Sequence, residues 1–208
     1  GTVLACVNYR QGFYPREGIN VAPGLKKGYY FQMAFNENGA MALEWYQKKF
    51  ASELSIEGLL KMAEGTAPGS AGLKAFPCAY KFESLLGFQN VTNKHSHGHF
   101  VRAILESTAL SLRDLAFSLD KENVSEAFIA SGGGARSLLW MQIKADTLNK
   151  AFIVAECGEL GCQGAALIGA MGSVQLKNEV ESFEKRVRYA RFIEPNPVTV
   201  EKYKLETK

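Results

Sequence analysis

The chain has 208 residues, 47% apolar and 22% charged, enough to bury a core without disulfide or metal staples. Its formal charge of +3 is too small to predict nucleic acid or an acidic membrane surface as a partner. It has neither a run of ~18 apolar residues nor an apolar N-terminal stretch with a basic flank, so no membrane span and no signal peptide are expected.

The chain opens on Gly-Thr, directly in a strand-like segment. This reads as a piece of a longer protein, or Gly1 as a cloning remnant. Residues 2–9, TVLACVNY, are rich in β-formers and predict a strand. GINVAPGLKKG (18–28) carries Pro23 and three glycines and reads as a short strand plus turn. YYFQMAF (29–35) is a third strand, so an antiparallel meander is expected. Asn36, Glu37, Asn38 and Gly39 interrupt it and supply an Asx start signal for a helix over 40–50, with Lys48 and Lys49 in its last turn. SIEGLLKMAEG (55–65) predicts a second helix, with Ser55 as cap and Ile56, Leu59, Leu60 and Met62 on one side. TAPGSAG is a loop, and residues 73–92 mix aromatics with Pro77 and Gly87 without a usable period.

Over 98–119, Val101, Leu105, Thr108, Leu112, Leu115 and Leu119 recur at helical spacing and predict a long helix with a mostly apolar stripe. A strand follows at 127–130, then three glycines, a helix at 136–148, a strand at 151–155 and a helix at 159–172. This α-β-α-β-α order implies an α/β domain in which helices pack on a sheet. An amphipathic segment at 177–191 reads as a solvated helix face around Val180, Phe183 and Val187, before a Pro-containing tail. The four cysteines, Cys6, Cys78, Cys157 and Cys162, form no C-x-x-C pair and lie in apolar surroundings. Reduced, buried thiols in a cytoplasmic protein are expected.

The stretch FIASGGGARSLLW (128–140) places Gly132, Gly133 and Gly134 at a strand-to-helix corner. One glycine satisfies most tight turns, and three cost conformational entropy. Bare backbone lets a flat ligand or a phosphate approach closely, with the following helix start offering N–H groups and a favourable dipole. The corner also lies beyond the carboxyl end of a strand, where open α/β sheets bind ligands. It is neither G-x-G-x-x-G nor a P-loop, and on pattern alone nucleotide binding and a simple turn both stand.

ASGGGARSLLWMQIKADTLNKAFIVAE followed by ELGCQGAALIGAMG resembles the carboxyl-terminal domain of the FGGY carbohydrate kinases. HSHGHFVRAILESTALSLRD is similar to the family's preceding helix, with His95, His99, Arg102 and Ala103 at the positions of its His-x-x-x-His and Arg-Ala pair. NENGAMALEWYQKKF and APGSAGLKAFP extend the resemblance in order along the chain. The resemblance implies a ribonuclease-H-like, actin-like ATPase domain with a mixed sheet and helices packed on it, covering 1–208. It implies ATP and Mg²⁺ as cofactors and phosphorylation of a hydroxyl of a small sugar or polyol of the xylulose, gluconate or glycerol kind. An amino-terminal sugar-binding domain of the same protein would be the partner and would carry the catalytic aspartate. A homodimer is left open.

By the same resemblance, Gly132, Gly133 and Gly134 contact adenosine and the α-phosphate, and Ser137 matches a nucleotide-contacting polar position. Gly1 and Thr2 match a second phosphate loop, with Thr2 reaching the terminal phosphates. Arg136 follows the pattern and is assigned no contact. Asp114, Asp120 and Asp146 sit in or beside helices as solvated or capping residues, so no catalytic base is assigned within the chain. One departure is CAYKFESLLGFQNVTNK (78–94), shorter than the family's loop and without its Gly-Glu-Arg-Thr-Pro-like residues. It motivates a second reading, a catalytically inactive nucleotide-sensing or assembly module; a hydrolytic ATPase of the same superfold is a third.

HSHGH holds all three histidines of the chain. On a helix His95 and His99 share a face but His97 does not. A helix-start role with Ser96 as cap is therefore expected, and no metal site. The small residues of GCQGAALIGAMG predict close packing of their helix on the sheet, and Trp45, Trp140 and the aromatics of GYYFQMAF are expected in the core.

Overall fold

The computed structural model describes residues 3–36, 39–76, 87–121, 124–172 and 188–206. β1 (Leu4–Gln11), β2 (Asn20–Pro23) and β3 (Tyr29–Asn36) pair antiparallel in the order β1-β3-β2. The meander is thus corrected: the third strand, not the second, is central. β2 is 4 residues long and ends on Pro23, which has no N–H to offer a second neighbour, whereas β3 has 8 residues with donors on both edges. Alternation turns Cys6, Gln32 and Ala34 inward and leaves Val7, Tyr9, Phe31 and Phe35 exposed. The aromatics expected in the core are therefore divided, and Tyr9 meets Phe31 across the strands, ring centroids 4.8 Å apart, on the outer face.

α1 (Met41–Phe50) starts from Ala40 without a side-chain cap; the Asx signal at Asn38 lies outside the described residues. α2 (Ile56–Glu64) begins as expected at Ser55, whose Oγ accepts from the Gly58 N–H at 3.0 Å. Leu59 and Ala63 carry its buried face, and Met62 turns out to solvent. β4 (Lys74–Ala75) and β5 (Phe88–Gln89) form a short antiparallel ribbon in the stretch that showed no period. Residues 77–86 of the departing loop lie outside the described residues.

α3 (His97–Leu119) is the spine. It packs on β1 and β3, on α2, and on the next helix, α4 (Leu138–Leu148). Val101, Leu105, Thr108, Leu112 and Leu119 of the predicted stripe are buried. One core cluster joins α3 to α1 and α2 through Leu43, Tyr46, Leu59 and Ile104. A second joins it to both sheets through Cys6, Ala34, Met141 and Phe152.

β6 (Ala127–Ala130) and β7 (Ala151–Ala155) pair parallel across α4, as a β-α-β unit requires. β8 (Tyr189–Ile193) adds antiparallel to β7 and makes this sheet mixed. The helix expected over 177–191 is corrected at its end, where Tyr189–Arg191 is strand; residues 177–187 lie outside the described residues. α5 (Leu160–Gly172) buries Leu167, but a Cβ added at Gly161, Gly164 or Gly169 would meet no atom within 4 Å. The close packing expected of its small residues is not made at these glycines among the described residues. Cys157 and Cys162, at and before its first turn, are exposed, which corrects the expectation of four buried thiols; Cys6 is buried and Cys78 lies outside the described residues.

The last helix, α6 (Pro197–Glu206), is tied back by buried polar groups. Asp146 accepts from the Asn196 N–H at 2.7 Å and from Gln142 Nε2 at 2.8 Å, so it is a buried anchor rather than a solvated group. Its burial raises the carboxyl above its ordinary value. Glu106 accepts from Arg102 Nε, the Gly69 N–H, the Tyr203 hydroxyl and the Ser70 hydroxyl, each at 2.9 Å. These bonds hold the loop 69–72, where Ser70 (φ 51°) and Ala71 (φ 54°) take left-handed backbone at a cost of about 1–3 kcal/mol each.

Candidate functional site

The corner after β6 forms where a short apolar strand runs out and Ser131-Gly132 turns the chain. Residues Gly133–Arg136 make one 3₁₀ turn, and α4 begins only at Leu138. The expected start at 136 is therefore corrected by two residues. Ser137 sets the boundary: its Oγ accepts from the Trp140 N–H at 3.2 Å, a helix cap.

The three glycines answer to three different demands. Gly132 has φ +87°, a conformation that favours glycine. A Cβ at Gly134 would lie 3.3 Å from the Trp140 ring, so a side chain there would crowd the packing. Gly133 has neither constraint: its φ is not left-handed, and an added Cβ would meet nothing within 4 Å. The chain itself gives no reason for a bare backbone at Gly133, and the space beside it is open.

That space belongs to a cleft of about 620 Å³ between β1 and β6, lined among others by Val3, Cys6, Gly132, Gly133, Gly134 and Lys144. Gly1 and Thr2 lie outside the described residues, but the next residue, Val3, lines this cleft. Cys6 is a buried thiol raised to about 11 by desolvation, and so is protonated at neutral pH. Asp120, the only carboxylate lining the cleft among the described residues, accepts from the Ser125 N–H at 2.8 Å and hydroxyl at 2.7 Å. It closes the turn after α3, the capping role expected of it. Asp114 is exposed on α3, also as expected. Arg136 reaches toward Gly158, where a Cβ would lie 3.5 Å from its Nη2.

Lys144 was not anticipated as part of the site. It is 9% exposed, its Nζ sits 4.8 Å from the centroid of the Trp140 ring, and a Cβ at Gly134 would stand 3.7 Å from that nitrogen. Its signal in the sequence is a lysine four residues after a tryptophan in the otherwise apolar face of LLWMQIKADTL. Trp140 is held in turn by Nε1 donating to Thr108 Oγ1 at 2.9 Å.

The histidines serve the start of α3. The Ser96 N–H donates to His99 Nδ1 at 3.1 Å, the Thr92 N–H to His95 Nδ1 at 3.1 Å, and His97 Nδ1 bonds the Tyr46 hydroxyl at 2.8 Å. Among the described residues no three metal-ligating side chains come together, and no helix is long and apolar enough to cross a membrane.

Comparison with known proteins gives one family and one fold. The profile described as the FGGY family of carbohydrate kinases, C-terminal domain, matches residues 19–173. The xylulose kinase of Bacillus subtilis (strain 168) is 29% identical over 187 residues, covering 86% of this chain and 38% of that protein. The L-fuculokinase of Escherichia coli (strain K12) is 34% identical over 150 residues, covering 71% and 31%. The crystal structure of xylulose kinase from Rhodospirillum rubrum superposes with a TM-score of 0.83 at 26% identity, covering 99% of this chain and 43% of that one. The chain therefore spans well under half the length of the relatives it matches.

Proposed function

The chain belongs to the FGGY family of carbohydrate kinases, as its C-terminal domain, and from that premise we propose that it holds the nucleotide for transfer of the ATP γ-phosphate to a hydroxyl of a small sugar or polyol. The observation that carries this reading is the open side of Gly133, bare backbone on a cleft with no structural need for it. Gly132, Gly133 and Gly134 form the floor against which the nucleoside and its first phosphate rest. Ser137, by capping α4, fixes the helix start whose N–H groups and dipole favour the phosphates. Thr2, following Gly1, reaches the terminal phosphates.

Phosphoryl transfer depends mainly on positioning and charge neutralisation. ATP supplies the phosphoryl group and Mg²⁺ neutralises its developing charge. The residues of this chain orient the nucleotide and keep water from its inner face, where Cys6, Ala116 and Phe152 are apolar or un-ionised. The proton leaving the acceptor hydroxyl needs a free carboxylate. Asp120 is engaged by Ser125, and the family resemblance assigns that carboxylate to an amino-terminal sugar-binding domain of the same protein. Acceptors of the xylulose and fuculose kinds follow from the kinases named above, and of the gluconate kind from the gluconokinase of Bacillus subtilis (strain 168), 28% identical over 166 residues. The protein works in the cytoplasm, where ATP is abundant and exposed thiols such as Cys157 and Cys162 stay reduced.

The test is an acceptor panel of pentuloses, hexuloses, gluconate and glycerol with the full-length protein, ATP and Mg²⁺. One acceptor is expected to be phosphorylated in step with ADP release. ADP release at the same rate without an acceptor would instead indicate a hydrolytic ATPase, and none under any condition would contradict the reading.

A further inference from the structure

Lys144 lies one turn beyond Trp140 on α4, and side chains on a helix lean toward its N-terminus. Its stem therefore runs along the indole and delivers Nζ to the start of the helix, under Gly134 and into the cleft. A cation at this end opposes the helix dipole instead of complementing it. Among the described residues no carboxylate pairs with it, and burial is the cause of its lowered value of about 8. Among the described residues the other ionisable groups lining the cleft are Cys6, un-ionised at neutral pH, and Asp120, engaged by Ser125. Arg136, on the turn before α4, turns toward Gly158. A buried ammonium with no counter-ion among the described residues thus stands beside the bare backbone of Gly134 at the start of a helix, on the cleft that Gly133 also lines, and together these suit an anion.

We propose that the Lys144 ammonium reads the phosphoryl group nearest the nucleoside, making it the residue that distinguishes a nucleotide from an uncharged nucleoside in this cleft. This rests on the nucleotide reading above and adds a contact which that reading does not need. A bound phosphate replaces the missing counter-ion, so the lysine stays protonated in the complex at pH values where the free chain has lost the proton.

Calorimetric titration of the chain with ADP, AMP and adenosine, wild type against Lys144→Met, tests it. A charge-assisted hydrogen bond predicts a roughly tenfold to hundredfold loss of affinity for ADP and AMP in the variant, with adenosine unchanged. At about pH 9, wild-type ADP binding is expected to take up a proton, seen as heat that varies with the buffer, and the variant to take up none. Thermal melts check that the variant is folded. Wild type and Lys144→Met binding ADP equally would overturn the lysine's role and leave the nucleotide reading intact. Equal losses for adenosine and AMP would also overturn it, since the lysine would then act on packing alone. Inorganic phosphate binding as tightly as AMP would make this a free-phosphate site and overturn the assignment. Wild type binding none of the three would defeat both.

Discussion

Burial of the Lys144 ammonium is expected to cost the fold stability. Desolvation brings its value from 10.5 to about 8 in the folded chain. A folded value below the unfolded one means that the unfolded chain binds more protons between the two. Stability therefore rises as pH climbs from about 8 to 10.5, and the full penalty is present below about 8. The shift corresponds to about 3 kcal/mol. In urea at pH 7, Lys144→Met is expected to unfold at higher denaturant than wild type, with the gap closing toward the ordinary lysine value. A variant less stable at pH 7 would contradict this account. Glu106 has the opposite sign. Glu106→Gln leaves the Arg102 guanidinium buried without its partner and should lose about 3 kcal/mol, read from the same urea curves. At this scale the sequence was legible in part. Gly132–Gly134 and the Ser96–His99 helix start stand out as patterns. That Gly133 faces open space without a left-handed backbone to require glycine, and that Lys144 reaches under Gly134, depends on how the corner folds and where Trp140 packs, and no spacing rule encodes that.

Among the elements, those with a clear period were readable. The β-α-β run of β6, α4 and β7 kept its strand boundaries because short apolar strands and capped helices differ in pattern. The start of α4 did not, since a 3₁₀ turn shares the composition of a helix and only the Ser137 cap separates the two. Ser137→Ala should cost about 1 kcal/mol of stability through the lost cap, measured by thermal melting. A larger fractional loss of ADP affinity than this local fraying allows would make Ser137 a ligand contact in its own right. The order β1-β3-β2 was hidden because it is decided by the length of β2 and by Pro23 rather than by alternation. The anchoring of α6 was hidden too: Asp146 and Asn196 are 50 residues apart, and a buried carboxylate on an apolar helix looks no different in sequence from a solvated one.

For the molecule as a whole, the cleft sits between two sheets held on one long helix, so the glycine corner and β1 keep their separation only while α3 is intact. The proposed nucleotide cleft has, among the described residues, only the engaged Asp120 as a carboxylate, and the family resemblance puts the catalytic aspartate outside this chain; the expectation is nucleotide binding without turnover, with ADP and ATP bound and no acceptor phosphorylated by these residues alone. Robust ATP-dependent sugar phosphorylation by this chain would refute that division of labour. The central claim is that a nucleotide rests on the bare backbone at Gly133, and calorimetric titration of ADP into wild type and Gly133→Val tests it most directly. An added Cβ there meets no atom within 4 Å, so the variant should melt with the wild type yet lose ADP binding. A folded variant that binds ADP as tightly as wild type would contradict the account.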